Sequence, residues 1–379
     1  MLSFTKFLLV GVASVYLGAV AQPRIIKNSR DVPLLTTVKI KPILSGLEHP
    51  WGMVWLPDGS ALITERPGRV RHWQNGQLRL VEGVPPVFAA GQGGLLDIAL
   101  HPDFAQNSLV YFTYAQGNSS ANQTTVARAR FDGKNLRQWQ VLWQAQPSKA
   151  GTQHFGSRLL WLPDRTLLVT IGDGGNPPLS LGGKLIREQA QNRRSHLGKI
   201  VRLTAEGKVP PDNPFVQDPK TDPYLWTIGH RNIQGLARDS QTGELWASEH
   251  GARGGDELNR LQAGQNYGWP LVSRTREYTT GEPIGVPSAP GMVDPVVVWE
   301  EAIAPSGLAI YGGDRFPQWR GQLLVGGLVA QQVQVLTPQG EVMGAIPIGR
   351  RVRYVGQGRD GFVYVLTDEP NGKLLRLEP

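Results

Sequence analysis

Cysteine is absent from all 379 residues, which excludes a disulfide framework, thiol catalysis, iron–sulfur clusters, cysteine-ligated zinc and a lipoprotein anchored through cysteine. Sustained helical periodicity is nearly missing too, so neither a helix bundle nor a groove-reading helix has a candidate segment. The formal charge is +8, yet no Lys/Arg block accompanies it: the basic residues are scattered, with local pairs such as Arg193-Arg194 and Arg350-Arg351. That balance describes a solvated basic surface, and nucleic acid is not expected as a partner. There is no Walker loop, no H-E-x-x-H and no G-x-S-x-G elbow. One G-x-G-x-x-G match, Gly356 to Gly361, precedes the strand-like run Phe362 to Leu366 instead of a helix and is assigned to a tight turn.

Long apolar runs are also scarce. Phe7 to Val20 follows Lys6 and ends in Ala19-Val20-Ala21, the pattern of a signal peptide cut before Gln22. Residues 1–21 are therefore expected to be removed, leaving no integral membrane segment in an exported, periplasmic or secreted protein; an uncleaved anchor is the alternative. Two sequons, at Asn118 and Asn122, matter only in a eukaryotic secretory host.

What the chain has in quantity is glycine, 46 residues, and proline, 29, around a 40% hydrophobic content that suffices for a large core. Short Val-, Ile-, Leu-, Trp- and Tyr-rich runs alternate with turn residues. One phrase recurs, an Asp-bearing turn followed by an apolar strand, at Asp58, Asp103, Asp164, Asp239, Asp314 and Asp360. The copies lie 45 to 75 residues apart, and the lower figure is what four short strands with their turns require. The reading is an all-β, six-bladed β-propeller, a single catalytic domain over residues 22–379. Two β-sandwiches would be the alternative, but no linker divides the chain.

Polar, Gly-rich phrases interrupt this pattern: Gln153 to Leu159, Gly172 to Gly175, Gly229 to Gly235, Ser248 to Glu257 and Asn266 to Pro270. His154 beside Asp173 would make a tautomer-fixed base, or only a structural hydrogen bond. Arg231, Asn232 and Gln234 crowd donors into one turn, suited to an oxygen-rich ligand or to bracing the turn itself. Carbonyls and carboxylates between Ser248 and Glu257 are hard ligands that suit calcium, although the spacing is not that of an EF-hand.

Taken together with Gly91 to Leu96, Leu197 to Leu203, Asp212 to Phe215 and Val365 to Asp368, these phrases carry a resemblance over about Leu47 to Leu377. The chain resembles the soluble quinoprotein sugar dehydrogenases of the glucose/sorbosone dehydrogenase family, especially their bacterial aldose dehydrogenase branch. The resemblance implies a six-bladed propeller holding pyrroloquinoline quinone (PQQ) and Ca²⁺. It also implies oxidation of the C1 hydroxyl of an aldose to a lactone by hydride transfer to the quinone, and an external electron acceptor. By the same resemblance His154 is the general base and Asp173 orients it, while Arg231 polarises the quinone carbonyl. Asn232 and Gln234 fall at cofactor or metal-region contacts, Arg351 and Arg353 at the clasp on the cofactor carboxylates, and Gln92 on the substrate side. The backbone oxygens of Gly251 and Ala252 match the catalytic calcium ligands; Asp256, Glu257 and Tyr267 match a further calcium site in some relatives. Four positions depart from the family pattern: Val329 stands where many relatives have Lys, Ile233 and Ala252 where Pro is common, and Tyr354 where an acidic residue is usual. Two readings from other classes are a non-catalytic sugar- or protein-binding propeller and a calcium-dependent lactonase propeller.

Overall fold

Each Asp-bearing phrase closes the first hairpin of one antiparallel sheet. In the computed structural model, which describes residues 22–175 and 179–379, Asp58 Oδ1 accepts from the Ser60 amide at 2.9 Å and the Ser60 hydroxyl at 2.6 Å. Asp164 Oδ1 repeats this with Thr166 at 3.0 and 2.6 Å, and Asp239 and Asp360 accept the amides of Gln241 and Phe362. A carboxylate that takes the amide two residues on stands in for a backbone turn, which is why Asp punctuates the pattern. The expected leader, 1–21, lies outside the described residues.

Six such sheets are present among the described residues. Blade 1 comprises Pro50–Trp55, Ala61–Glu65, Arg69–Gln74 and Gln77–Val81. Blade 2 comprises Leu95–Leu100, Leu109–Gly117, Asn122–Phe131 and Leu136–Gln144. Blade 3 comprises Leu159–Trp161, Leu167–Ile171, Lys199–Leu203 and Leu225–Ile228. Blade 4 comprises Ile233–Arg238, Leu245–Glu249, Asp256–Leu261 and Val297–Trp299, with Arg24–Ile26 added in parallel to the last. Blade 5 comprises Pro305–Ile310, Leu323–Gly327, Gln332–Leu336 and Val342–Pro347. Blade 6 takes Val352–Gln357, Val363–Thr367 and Gly372–Glu378 from the C-terminal end, and its outer strand, Lys39–Leu47, from the other end of the chain. The six-bladed propeller expected from the sequence is thus the observed fold. The two N-terminal strands are an addition: Lys39–Leu47 pairs from Lys39 opposite Glu378 to Leu47 opposite Gly372, and so ties the ring shut.

The first strand of each blade packs on the first strand of the next, around a closed circle. Glycine allows the approach: a Cβ on Gly307 would sit 2.3 Å from the Val355 amide nitrogen. Between neighbouring blades lies an apolar layer, such as Tyr111 and Val126 of blade 2 against Val169 and Val201 of blade 3. Each fully buried large side chain there contributes about 1.5–3 kcal/mol. With the strands held in this way, loops at one end of the axis are free to carry polar groups.

Candidate functional site

Long connections reach that end from blades 3 and 4. The loop 262–296 leaves blade 4 and returns beside blade 3, where Ile228 donates to Gln265 O, Tyr267 to Ile228 O and Trp269 to Gly229 O. His154 precedes the first strand of blade 3 and has a left-handed backbone, φ 52°, a conformation uncommon outside glycine. Its amide donates to Gln92 Oε1 at 2.9 Å, and its Nδ1 lies 2.6 Å from Asp173 Oδ1. An ionised carboxylate only accepts, so Nδ1 carries the proton and Nε2 is the ring's acceptor. Asp173 also accepts from the Gly175 amide at 3.0 Å and from the Trp269 indole at 2.8 Å, while its own amide donates to Arg231 O.

The electrostatics keep this pair in one state. Burial, then the Arg231 charge, lowers the His154 imidazole below its ordinary value against the pull of Asp173. Burial alone would raise Asp173, but His154 and Arg231 hold it below the usual carboxylate value. The result is a neutral imidazole beside an ionised carboxylate.

Arg231 is fixed at both ends. Its amide donates to Glu249 Oε2 at 2.7 Å, and its guanidinium donates to the carbonyls of His250, at 3.2 Å, and of Gly251. The same guanidinium lies 5.4 Å from the centre of the Trp269 ring. Asn232 and Gln234, expected at the cofactor, are both buried, and Gln234 lines a cleft that it shares with Arg353. Asn232 Oδ1 accepts from the Gly156 amide, and Gln234 bridges Gly156 O at 3.0 Å and Arg353 at 2.8 Å. They brace the His154 loop and the arginine.

Arg353 donates to Asp368 Oδ2 at 2.8 Å, yet its Nε is a buried donor with no partner among the described residues. Arg351 is half exposed, 3.9 Å from the same carboxylate. Burial would raise Asp368, but Arg353, His49 and Arg66 hold it far below the usual value. Trp51, Arg66, Gln92, His250, Arg351 and Arg353 line a cleft of about 130 Å³ here. Behind the lining residues Gln234, Arg353 and Trp51 lies Arg158, which donates to Gln234 O at 2.6 Å, Arg353 O at 2.9 Å and Asp97 at 3.3 Å, and stacks 4.0 Å above Trp51.

The Gly251–Ala252 loop is held by Asp256. One of its oxygens accepts the Gly251 amide and the other accepts those of Ile303 and Ala304, each at 2.8 Å. Burial pushes its carboxyl up to about 6. Of the three residues expected at a further calcium site, Glu257 and Tyr267 line one small cavity together with Gly251. Asp256 is engaged by those amides. The Tyr267 hydroxyl donates to Arg260 O at 2.9 Å and accepts from Gln262. Glu257 remains near Glu249, its carboxyl raised by burial and by that neighbouring charge. Among the described residues no three His, Asp or Glu side chains form a metal-holding group. A cation on this loop would therefore rest on backbone oxygens, and the Gly251 and His250 carbonyls already converge on a cationic group, the Arg231 guanidinium.

Val329 is 58% exposed at the rim, whereas Ile233 is buried and Tyr354 lies in the first strand of blade 6. Sequence reasoning missed Asp97, Arg158, Trp51, Trp269 and Asp368 as members of the site. Arg158 and Trp269 stand inside the polar phrases singled out above, and Asp368 inside a phrase that carries the resemblance, so the signal was present without a role attached to it.

The sequence model described as Glucose / Sorbosone dehydrogenase matches residues 47–376. The chain is 57% identical over 356 residues to "Uncharacterized protein slr1608" of Synechocystis sp., covering 90% of this chain and 86% of that one. It is 37% identical over 359 residues to "Aldose sugar dehydrogenase YliI" of Escherichia coli, covering 90% and 93%. Among solved structures, the PQQ-bound aldose sugar dehydrogenase of Streptomyces coelicolor superposes with a TM-score of 0.72 at 28% identity, covering 90% of this chain and 98% of that one.

Proposed function

Starting from the fact that the chain belongs to the glucose/sorbosone dehydrogenase family, we propose that it oxidises the C1 hydroxyl of an aldose to a lactone, with PQQ and Ca²⁺ as cofactors. The observation that carries this reading is the His154–Asp173 pair, with Nδ1 protonated at 2.6 Å from the carboxylate and Arg231 beside it. When bound, the quinone supplies a two-electron hydride acceptor and calcium a Lewis acid next to it.

The residues present fit such a group. Arg351, Arg353 and Arg66 give the cleft a cationic lining, and the partnerless Nε of Arg353 is a buried donor awaiting an acceptor. Both features suit a polycarboxylate. The Gly251 carbonyl, with that of Ala252, would hold the calcium. His154 Nε2 takes the proton of the C1 hydroxyl as the C1 hydrogen leaves with its electron pair, and Asp173 stabilises the imidazolium that forms. Arg231 donates to the oxygen that gains negative charge. Gln92, which fixes the His154 main chain, stands on the sugar side. Export through the leader at 1–21 belongs to the same proposal.

Purified apo-protein given PQQ, Ca²⁺, an aldose and an artificial dye should bleach the dye, and omission of either cofactor should abolish the signal. Zn²⁺, which prefers nitrogen and sulfur ligands, should not replace Ca²⁺. Calcium-dependent lactone hydrolysis without dye reduction would make the protein a lactonase instead, and sugar binding with neither activity would make it a binding propeller.

A further inference from the structure

Trp269 enters neither the sequence-based assignment nor the chemistry above, yet it touches both Asp173 and Arg231. Its Nε1–H donates to Asp173 Oδ2 at 2.8 Å, the oxygen that does not face His154. Its ring lies 5.4 Å from the Arg231 guanidinium carbon. The side chain is 6% exposed and packs with Ala190, Ala252 and Ile284. Its main chain is pinned as well, donating to Gly229 O at 2.9 Å and accepting from Gln191 Nε2 at 2.7 Å. For packing alone, phenylalanine would fill most of this space. A buried indole needs an acceptor, and the acceptor used here is the carboxylate of the base.

We propose that Trp269 is a positioning residue for the site: its indole N–H fixes the second oxygen of Asp173 and its ring face fixes Arg231, so one side chain aims the base and the polarising arginine together. The importance of this aim rests on the function proposed above, whereas the physical coupling does not.

Without the indole donor, more of the Asp173 charge is available to His154, which favours the imidazolium. The other charged or titratable groups facing His154 are Arg231, Lys149 and His250. Lys149 is tied to Asn122 Oδ1 at 3.0 Å and lies over the Phe155 ring, and His250 Nε2 is 2.8 Å from Pro305 O. None of these three contacts involves Trp269.

The test is Trp269→Phe, read first in apo-protein with ¹³C-labelled histidine, the His154 signal being assigned by its loss in His154→Ala. The His154 midpoint should rise by roughly one unit, the scale of one hydrogen bond to a charged group. In reconstituted enzyme the acid limb of kcat/KM should move up with it, and kcat should fall roughly tenfold with KM nearly unchanged. A midpoint within about 0.2 units of wild type would show that the indole only packs. If the variant does not fold, the wild-type protein still decides: the Trp269 indole ¹⁵N–H signal should titrate with the His154 midpoint, and an indole signal indifferent to that titration overturns the proposal. Both spectra need no sugar and no quinone. A failed reconstitution alongside a shifted midpoint would therefore overturn the proposed reaction and leave the role of Trp269 intact.

Discussion

The two cavities on either side of Arg158 are built differently: first strands of all six blades wall one, and loop residues form most of the lining of the other. Above Arg158 stand His154, Asp173, Arg231, Arg353 and Asp368, each tied to a partner from another segment. Below it a mostly apolar wall that includes Met53, Leu236, Leu308 and Val355, with Asp97 and Tyr354 as its polar members beside Arg158, surrounds a cavity of about 420 Å³, well above the 130 Å³ of the polar cleft. Room does not locate the chemistry here. Connections do: the far end carries the tight Asp turns of the first hairpins, while the near end receives the segments 172–175 and 179–198 and the loop 262–296. Buried charge needs hydrogen-bonding partners, and those long loops supply them, Trp269 and Gly175 to Asp173 among them.

The largest expected effect breaks the polar end at its base. His154→Ala should lower kcat by about 10²–10⁴ while quinone and calcium remain bound. Arg231→Ala should slow reduction and loosen the quinone as well. Single-turnover reduction, normalised to occupied sites, separates them, and a His154→Ala rate within about threefold of wild type would remove that residue from the mechanism. The pH dependence follows from the same burial. His154 is held below the ordinary 6.5, so the acid limb of kcat/KM should lie below that value. His250 is lowered to about 3. Both rings take up protons on unfolding at acid pH, so stability should fall as pH drops from 6.5 toward 3.

A second, smaller effect tests the boundary between the two ends. Arg158→Met leaves Asp97 buried without its partner, at a cost of about 3–5 kcal/mol in thermal or denaturant unfolding. Replacing Asp97 by Leu in the same chain should recover much of that loss, since no uncompensated charge remains. Quinone affinity should stay weakened in the double variant, because Gln234 and Arg353 lose the guanidinium that spans their carbonyls. Wild-type affinity in the double variant would show that the polar end does not depend on Arg158.

How much of this was legible followed the range of the interactions. The hairpin turns were readable because Asp58 and Asp164 bond only two residues ahead. The His154–Asp173 contact was readable because one short hairpin, Leu159–Trp161 with Leu167–Ile171, connects the two residues within a single blade. Lys39–Leu47 escaped because Pro42 and Gly46 blur its alternation and its partner lies at the other end of the chain. Arg158 and Asp97 are 61 residues apart, and Trp269 and Asp173 are 96; no local pattern predicts such pairs. Asn232 and Gln234 have the right chemistry for a ligand, and only the structure shows that they also bond Gly156 and Arg353.

The smallest effect belongs to the turns at the far end. Asp58→Ala removes the acceptor of the Ser60 amide and hydroxyl on an exposed hairpin, and water replaces part of what is lost. The expected change is about 0.5–1 kcal/mol in denaturant unfolding. Neither kcat nor quinone affinity should move, because no contact of Asp58 reaches the polar cleft. The sign of its pH dependence is fixed: the Ser60 hydroxyl holds the Asp58 carboxyl below its ordinary 3.8. The stability it contributes is therefore present above 3.8 and is lost as pH falls through the lowered value. The gap between wild type and Asp58→Ala should stay constant from neutral pH down to about 4 and close below it. A change in kcat exceeding about twofold in this variant would mean that the hairpin turns and the catalytic end are coupled, and the division drawn at Arg158 would fail.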